Sequence, residues 1–232
     1  MSGADVSRAQ LERSSPLLQT ELREWWVMRV MKWVEDFSIR VGLTPNAITV
    51  LATAFSCVCG VLYATGHILS AGWVVLFAGS LDFLDGRVAR RTNQVTTQGA
   101  FFDSVADRYQ DFIILFGLCV FYRNSVMLYI VLAALGGSVL VSYVRARAEN
   151  LGVDLSSIGS MQRPERIFLI GFGSMISSAL QVSLMPFWGQ GNRPPQHLLI
   201  LVLAFLAAST NWTAVRRIRH TMRVLAEKGT RE

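Results

Sequence analysis

Uncharged apolar runs of about twenty residues alternate with short polar gaps along most of this chain. The pattern predicts six membrane-spanning helices: 47–66, 67 to the Asp82 region, 98–122, 125–144 continuing towards Glu149, 167–188 and 197–215. Ahead of them, residues 21–41 place Leu22, Trp26, Val30, Trp33, Phe37 and Val41 at helical spacing. Arg23, Glu24, Lys32, Glu35, Asp36 and Arg40 interrupt that stripe too often for a span. A Trp-rich amphipathic helix of this kind lies in the membrane interface. Gly42-Leu43-Thr44-Pro45-Asn46 then breaks the chain before the first span. The expected architecture is an all-α integral membrane protein. It divides into a polar tail (1–20), a juxtamembrane amphipathic helix (21–41), a six-helix domain (42–220) and a basic C-terminal tail (221–232).

Composition strengthens this picture. Of the 232 residues, 52% are hydrophobic and 16% charged, against about 25% charged in an ordinary soluble domain. A disordered chain and a conventional soluble enzyme are both excluded. The net charge of +6 marks Lys and Arg retained beside anionic lipid on the cytoplasmic side, not nucleic-acid binding. With the N-terminus inside, Arg123 and Arg193 are the only ones of the 22 Lys and Arg that fall outside, and Arg108 lies within a span. Both termini are therefore expected in the cytoplasm, in a multi-pass cell-membrane protein. Cys57, Cys59 and Cys119 fall in apolar runs and read as small packing residues, and no secretory signal is visible.

Spans two and three break the rule that charges stay out of membranes. Their uncharged parts, 67–81 and 112–122, are too short to cross about 30 Å at 1.5 Å per residue. The helices must continue through LDFLDGRVARR and GAFFDSVADRYQD, which sinks Asp82, Asp85, Asp103, Asp107 and Asp111 into the inner membrane region. Asp82 and Asp85 are i, i+3, and Asp103 and Asp107 are i, i+4, so each pair shares a helix face. The short loop between the helices predicts antiparallel neighbours whose acidic faces meet. Four carboxylates in one pocket require cations. Two divalent ions would balance them, and all-oxygen ligation suits Mg²⁺ or Mn²⁺. Such a pair clamps a phosphoryl group during in-line displacement. Gly86, Ala89 and Gly99 leave room for a ligand, and Arg90 offers a fork suited to phosphate. A cation or proton transporter with an Asp relay is the reading from another class. It would place its acids near the midplane, open to both sides, whereas these cluster at the cytoplasmic ends beside Gly and Arg.

The stretch from Asp82 to Asp107, DFLDGRVARRTNQVTTQGAFFDSVAD, reads D-x2-D-G-x2-A-R-x8-G-x3-D-x3-D. It resembles the signature of the CDP-alcohol phosphotransferase family at every fixed position, and the six-span layout is similar too. The resemblance implies transfer of a substituted phosphate from a CDP-linked donor to an alcohol, with release of CMP. It implies that Asp82, Asp85, Asp103 and Asp107 hold two metal ions and that Asp107 is also the general base. Gly86, Ala89, Arg90, Thr96, Gly99 and the turn Pro45-Asn46-Ala47-Ile48 would contact the donor nucleotide. Asp111 lies outside the motif and is expected to pair with Arg108 or another nearby cation. SYVRARAENLG after span four and QRPERI before span five resemble the branch that makes phosphatidylinositol phosphate from CDP-diacylglycerol and inositol phosphate. There Arg145, Arg163, Arg166 and Arg217 would bind the acceptor phosphate. Glycerol 3-phosphate, and so a phosphatidylglycerol-phosphate synthase, is the nearest rival. A homodimer is expected by the same resemblance.

Overall fold

The computed structural model describes residues 32–155, 158–159, 161–188 and 196–229. The polar tail, and the first half of the expected interfacial helix with Leu22, Trp26 and Val30, lie outside the described residues, as does Arg193. Among the described residues seven helices follow one another: α1 (Lys32–Arg40), α2 (Pro45–Ala64), α3 (Ile68–Arg91), α4 (Thr97–Phe121), α5 (Leu128–Asn150), α6 (Arg163–Trp188) and α7 (His197–Gly229). Five of them, α2, α3, α5, α6 and α7, are long and apolar enough to cross a membrane. The protein is thus all-α among the described residues and has the character of a multi-pass membrane protein. α4 has the length, but Asp103, Asp107, Arg108 and Asp111 interrupt its apolar run.

Local chemistry sets the ends that matter for the site. Thr44 caps α2, its Oγ1 accepting from Ala47 N at 3.3 Å, and Pro45 opens the helix, where its missing N–H costs nothing. Thr96 caps α4 in the same way through Gly99 N at 3.0 Å. α3 runs unbroken through the acidic stretch, as the length argument requires, and stops at Asn93, which takes a left-handed conformation (φ 55°). Gln94 N then bonds Ala89 O at 2.9 Å, a closure that satisfies a carbonyl otherwise left free at the helix end.

The six long helices form a closed ring in the order α2, α3, α6, α7, α5, α4, with α1 resting against α3. α3 and α4 both lie along α2 and make no extended contact with each other. This corrects the expectation that they are packed neighbours: their acidic side chains meet across a gap, with α2 as the common support. Close approach comes from missing side chains. A Cβ on Gly117 of α4 would collide with the Gly60 backbone of α2, and one on Gly72 of α3 would lie 2.9 Å from Gly171 O of α6. Cys59 and Cys119 are buried in the apolar centre of the ring beside Tyr63, Ile114 and Leu203, as packing residues should be, while Cys57 faces outward.

α7 departs from expectation. It does not end near residue 215 but continues to Gly229, so residues 221–229 are helix, not tail. Val224 and Leu225 cover a small apolar cluster of Ala148, Val153 and Leu155, and Lys228 Nζ donates to Gly152 O at 3.0 Å. The extension ties the chain end to the α5–α6 connection.

Candidate active site

Two helices bring the acids together. Carboxylate oxygens of Asp82 on α3 and of Asp103 and Asp107 on α4 lie within 4.8 Å of one another. The cluster sits roughly 10–17 Å along the helices from the 92–96 loop at 1.5 Å per residue. Asp82 Oδ1 and Asp107 Oδ1 are buried and accept no hydrogen bond. Buried carboxylate oxygens need a donor or cation beside them; Asp107 Oδ1 has the charge of Arg163 at 2.8 Å without an aligned hydrogen bond, and Asp82 Oδ1 is left open to one. Asp85 stands slightly apart. It is buried, its Oδ2 accepting from Thr49 Oγ1 of α2 at 2.6 Å and its Oδ1 from Gly86 N at 2.5 Å. Three of the four expected ligands therefore cluster, and the fourth is held against α2.

Arg163, the first residue of α6, supplies positive charge to this cluster. Its Nη1 pairs with Asp82 Oδ2 and lies 2.8 Å from Asp107 Oδ1 without hydrogen-bond alignment. Its Nη2 donates to Gln110 Oε1 at 2.8 Å, and its Nε lies 3.2 Å from Asp111 Oδ1. One turn on, Arg166 Nη2 pairs with Asp111 Oδ2 at 2.5 Å. Asp111 thus takes Arg163 and Arg166, not Arg108, which turns back to Ser104 Oγ at 2.6 Å.

Beside the acids a cavity of about 350 Å³ opens between α4, α5, α6 and α7. Asp103, Asp107 and Asp111 line one side, and Arg145, Arg163, Arg166 and Arg217 come from the other three helices. All four arginines singled out in the sequence share this one space. They are held differently. Arg145 is half exposed and pairs with Glu149 Oε1 at 2.8 Å. Arg217 is buried and donates Nε to Ile158 O at 2.8 Å and Nη1 to Val141 O at 3.0 Å. Arg217 therefore also pins the α5–α6 connection.

The residues expected at the donor nucleotide gather at two helix N-termini and the end of α3. Asn46 Oδ1 is 3.5 Å from where a side chain on Gly99 would begin, so the α2 and α4 N-termini lie side by side. Free N–H groups and helix dipoles make such ends receptive to anions. The Arg90 guanidinium lies over Gly86, 3.5 Å from the position of a Cβ there. Ala89 is half-buried and Arg90 and Ala47 are exposed. The Ile48 side chain is 1% exposed and packed on Ala52, Leu81 and Leu84, so it anchors the turn and leaves the backbone there to meet a ligand.

Sequence reasoning missed the polar residues that orient these groups. Thr49 holds Asp85, and Gln110 is buried between Arg163 and α2, where its Nε2 donates to Thr53 Oγ1 at 3.2 Å. The signal was a stripe, Thr49, Thr53 and Ser56, at helical spacing on an otherwise apolar span. The donor set fits a hard divalent ion. Across an octahedron of about 2.1 Å bonds two oxygens lie about 4.2 Å apart, close to the observed spread of up to 4.8 Å.

Comparison with known families decides the class, since residues 42–215 match the family described as CDP-alcohol phosphatidyltransferase. The chain belongs to that family. It is an enzyme of this transferase class, with the signature acids where the fold concentrates negative charge. Among its relatives, the archaetidylinositol phosphate synthase of Methanothermobacter thermautotrophicus is 35% identical over 74% of this chain and 80% of its own length. The phosphatidylinositol phosphate synthase of Mycobacteroides abscessus is 33% identical over 74% of this chain and 76% of its own. The fold resembles the crystal structure of Mycobacterium tuberculosis phosphatidylinositol phosphate synthase with CDP-DAG bound (TM-score 0.69, 30% identity), covering 83% of this chain and 94% of that one. The same mycobacterial enzyme has been solved in complex with manganese and citrate (TM-score 0.69, 29% identity), covering 83% of this chain and 88% of that one.

Proposed function

We propose that this protein transfers a phosphatidyl group from CDP-diacylglycerol to the hydroxyl of inositol phosphate, giving phosphatidylinositol phosphate and CMP. The observation that carries this reading is the single cavity in which Asp103 and Asp107 face Arg145, Arg163, Arg166 and Arg217. Transfer to any alcohol needs the acids. Only a phosphorylated acceptor calls for several guanidinium groups on the far side of the same space. The relatives named above differ in their lipid, archaetidyl or phosphatidyl, but share inositol phosphate.

In this reading Asp82, Asp85, Asp103 and Asp107 hold two Mg²⁺ or Mn²⁺ ions. When bound, the ions offset the charge of the donor pyrophosphate and polarise its phosphoryl oxygens. The N-termini of α2 and α4, through Pro45, Asn46, Ala47, Thr96 and Gly99, receive the nucleotide with Gly86, Ala89 and Arg90. The arginines hold the acceptor phosphate so that its hydroxyl points at Asp107. Asp107 takes the hydroxyl proton as the oxygen bonds to the β-phosphorus of the donor. The bond from that phosphorus to the bridging oxygen breaks, and CMP leaves with the oxygen. α4 is the sixth span, its acids tolerated at depth because they face the cavity and its cations. The lipid donor reaches the pocket sideways from the inner leaflet of the cell membrane, and the enzyme works as a homodimer.

The test is CMP release by the purified protein with Mg²⁺ and CDP-diacylglycerol, with inositol phosphate, glycerol 3-phosphate, serine and free inositol in parallel. Release with inositol phosphate alone is expected. Release with glycerol 3-phosphate instead would keep the chemistry and discard the acceptor.

A further inference from the structure

Glu35 is a carboxylate with only 1% of its surface exposed, and neither the acid cluster nor the cavity uses it. It sits on α1 and divides its oxygens between two arginines of α3. Oε2 accepts from Arg87 Nε at 2.9 Å and lies 2.9 Å from Arg87 Nη2, while Oε1 lies 3.2 Å from Arg91 Nη1. Arg91 Nη1 also pairs with Asp36 at 2.6 Å. Arg87 and Arg91 are one turn apart, so a single carboxylate bridges the two turns that also carry Asp85, Gly86, Ala89 and Arg90.

A buried ion pair is a poor device for stability alone. Its desolvation cost offsets its attraction, and apolar residues of similar size do as well. What it does is fix geometry. The end of α3 needs that, because α4 makes no extended contact with it. α1 supplies the missing lateral support: Val34 and Ile39 pack on the cluster of Ile48, Leu81, Leu84 and Val88, and the Glu35 clamp sets the register. The opposite face of α1 exposes Trp33 and Phe37, with Val41 exposed just beyond its end, the apolar side of an interfacial helix.

We propose that Glu35 is a positioning residue: through Arg87 and Arg91 it holds the last turns of α3 in the register that the donor nucleotide requires. This rests on the donor site described under the proposed function. The predicted signature is selective. In the full-length protein Glu35→Gln should raise the apparent KM for CDP-diacylglycerol about 5- to 10-fold and leave that for the acceptor unchanged. Backbone amides of 82–92 should exchange hydrogen about tenfold faster or more, with α5 and α7 unaffected. Glu35→Asp, which keeps the charge, should recover part of both effects. If Glu35→Gln does not fold, Arg91→Ala removes the Oε1 partner together with the exposed Asp36 pair, leaves the Arg87 half of the clamp, and should show the same split at about 2- to 3-fold. A fall in kcat with both KM values unchanged, or equal changes in both, means a merely structural contact and overturns the proposal, as does unaltered exchange over 82–92. Should the wild-type protein release no CMP with any acceptor, the transferase reading fails, and the exchange experiment still decides whether the clamp holds α3.

Discussion

Thr49 donates to Asp85 Oδ2 from a helix that carries none of the signature acids. Its hydroxyl fixes which way the carboxylate points and stabilises its charge in a buried place. Thr49→Val keeps the shape and removes that donor. It should cost about 1–3 kcal/mol of stability, as for a buried charged acceptor left without its donor. It should also weaken apparent metal affinity about 10- to 100-fold, the usual scale for groups that orient ligands. A titration of activity against Mg²⁺, set beside thermal unfolding in detergent, separates the two, and an unchanged metal midpoint would remove Thr49 from the site. At this scale the sequence revealed the acids and arginines, because charge in an apolar run is conspicuous. It did not reveal their pairing. Asp111 lies i, i+3 from Arg108 but pairs across the ring with Arg163 and Arg166, 52 and 55 positions away. Local spacing carries no information about such contacts.

Along each element, apolar runs and caps make the helices legible, and contacts between helices explain where expectation slipped. Helix boundaries fell within a few residues for α2 and α4, where Thr44-Pro45 and Thr96 announce the start. The helix α7 outruns its expected span because charged residues signal the end of a span, not the end of a helix. Arg216 to Lys228 continue the same α-helix outside the apolar window. Close pairs of glycines were equally silent, since a glycine in a span looks alike whether it touches a neighbour or faces lipid. The structure separates the cases. Gly117 lies against the Gly60 backbone, whereas Gly136 on α5 has open space where a Cβ would sit. Gly117→Leu should destabilise by at least the 1–3 kcal/mol or so of overpacking, because a backbone cannot step aside. Gly136→Ala should be neutral or gain about 0.5–1 kcal/mol through the lower chain entropy of alanine. Unfolding temperatures of the two variants in one detergent check both, and a well-tolerated Gly117→Leu would mean that α2 and α4 stand further apart.

For the molecule as a whole, what matters is that the acids and most arginines of the ring gather towards one end. The α3–α4 loop, the α5–α6 connection pinned by Arg217 and Lys228, and the extension of α7 gather at the charged end. The turns after α2 and α4 lie at the other. A CDP-lipid transferase needs the charged end in the cytoplasm, where nucleotide and acceptor are, and the distribution of Lys and Arg predicts that orientation. A reporter active only outside the cytoplasm should therefore be active when inserted in the Arg123–Ser125 turn and silent when fused after Glu232. The same geometry separates this enzyme from a transporter built on intramembrane acids. Ser142 lines the cavity, so Ser142→Cys in a Cys57→Ser background should react with a membrane-impermeant maleimide from the cytoplasmic face only. Labelling from both faces would mean a cavity that alternates its access, as transport requires. Labelling from the cytoplasm alone fits a pocket that opens to water on one side and draws its lipid from the bilayer, which is why its acids can sit at membrane depth and still meet a soluble acceptor.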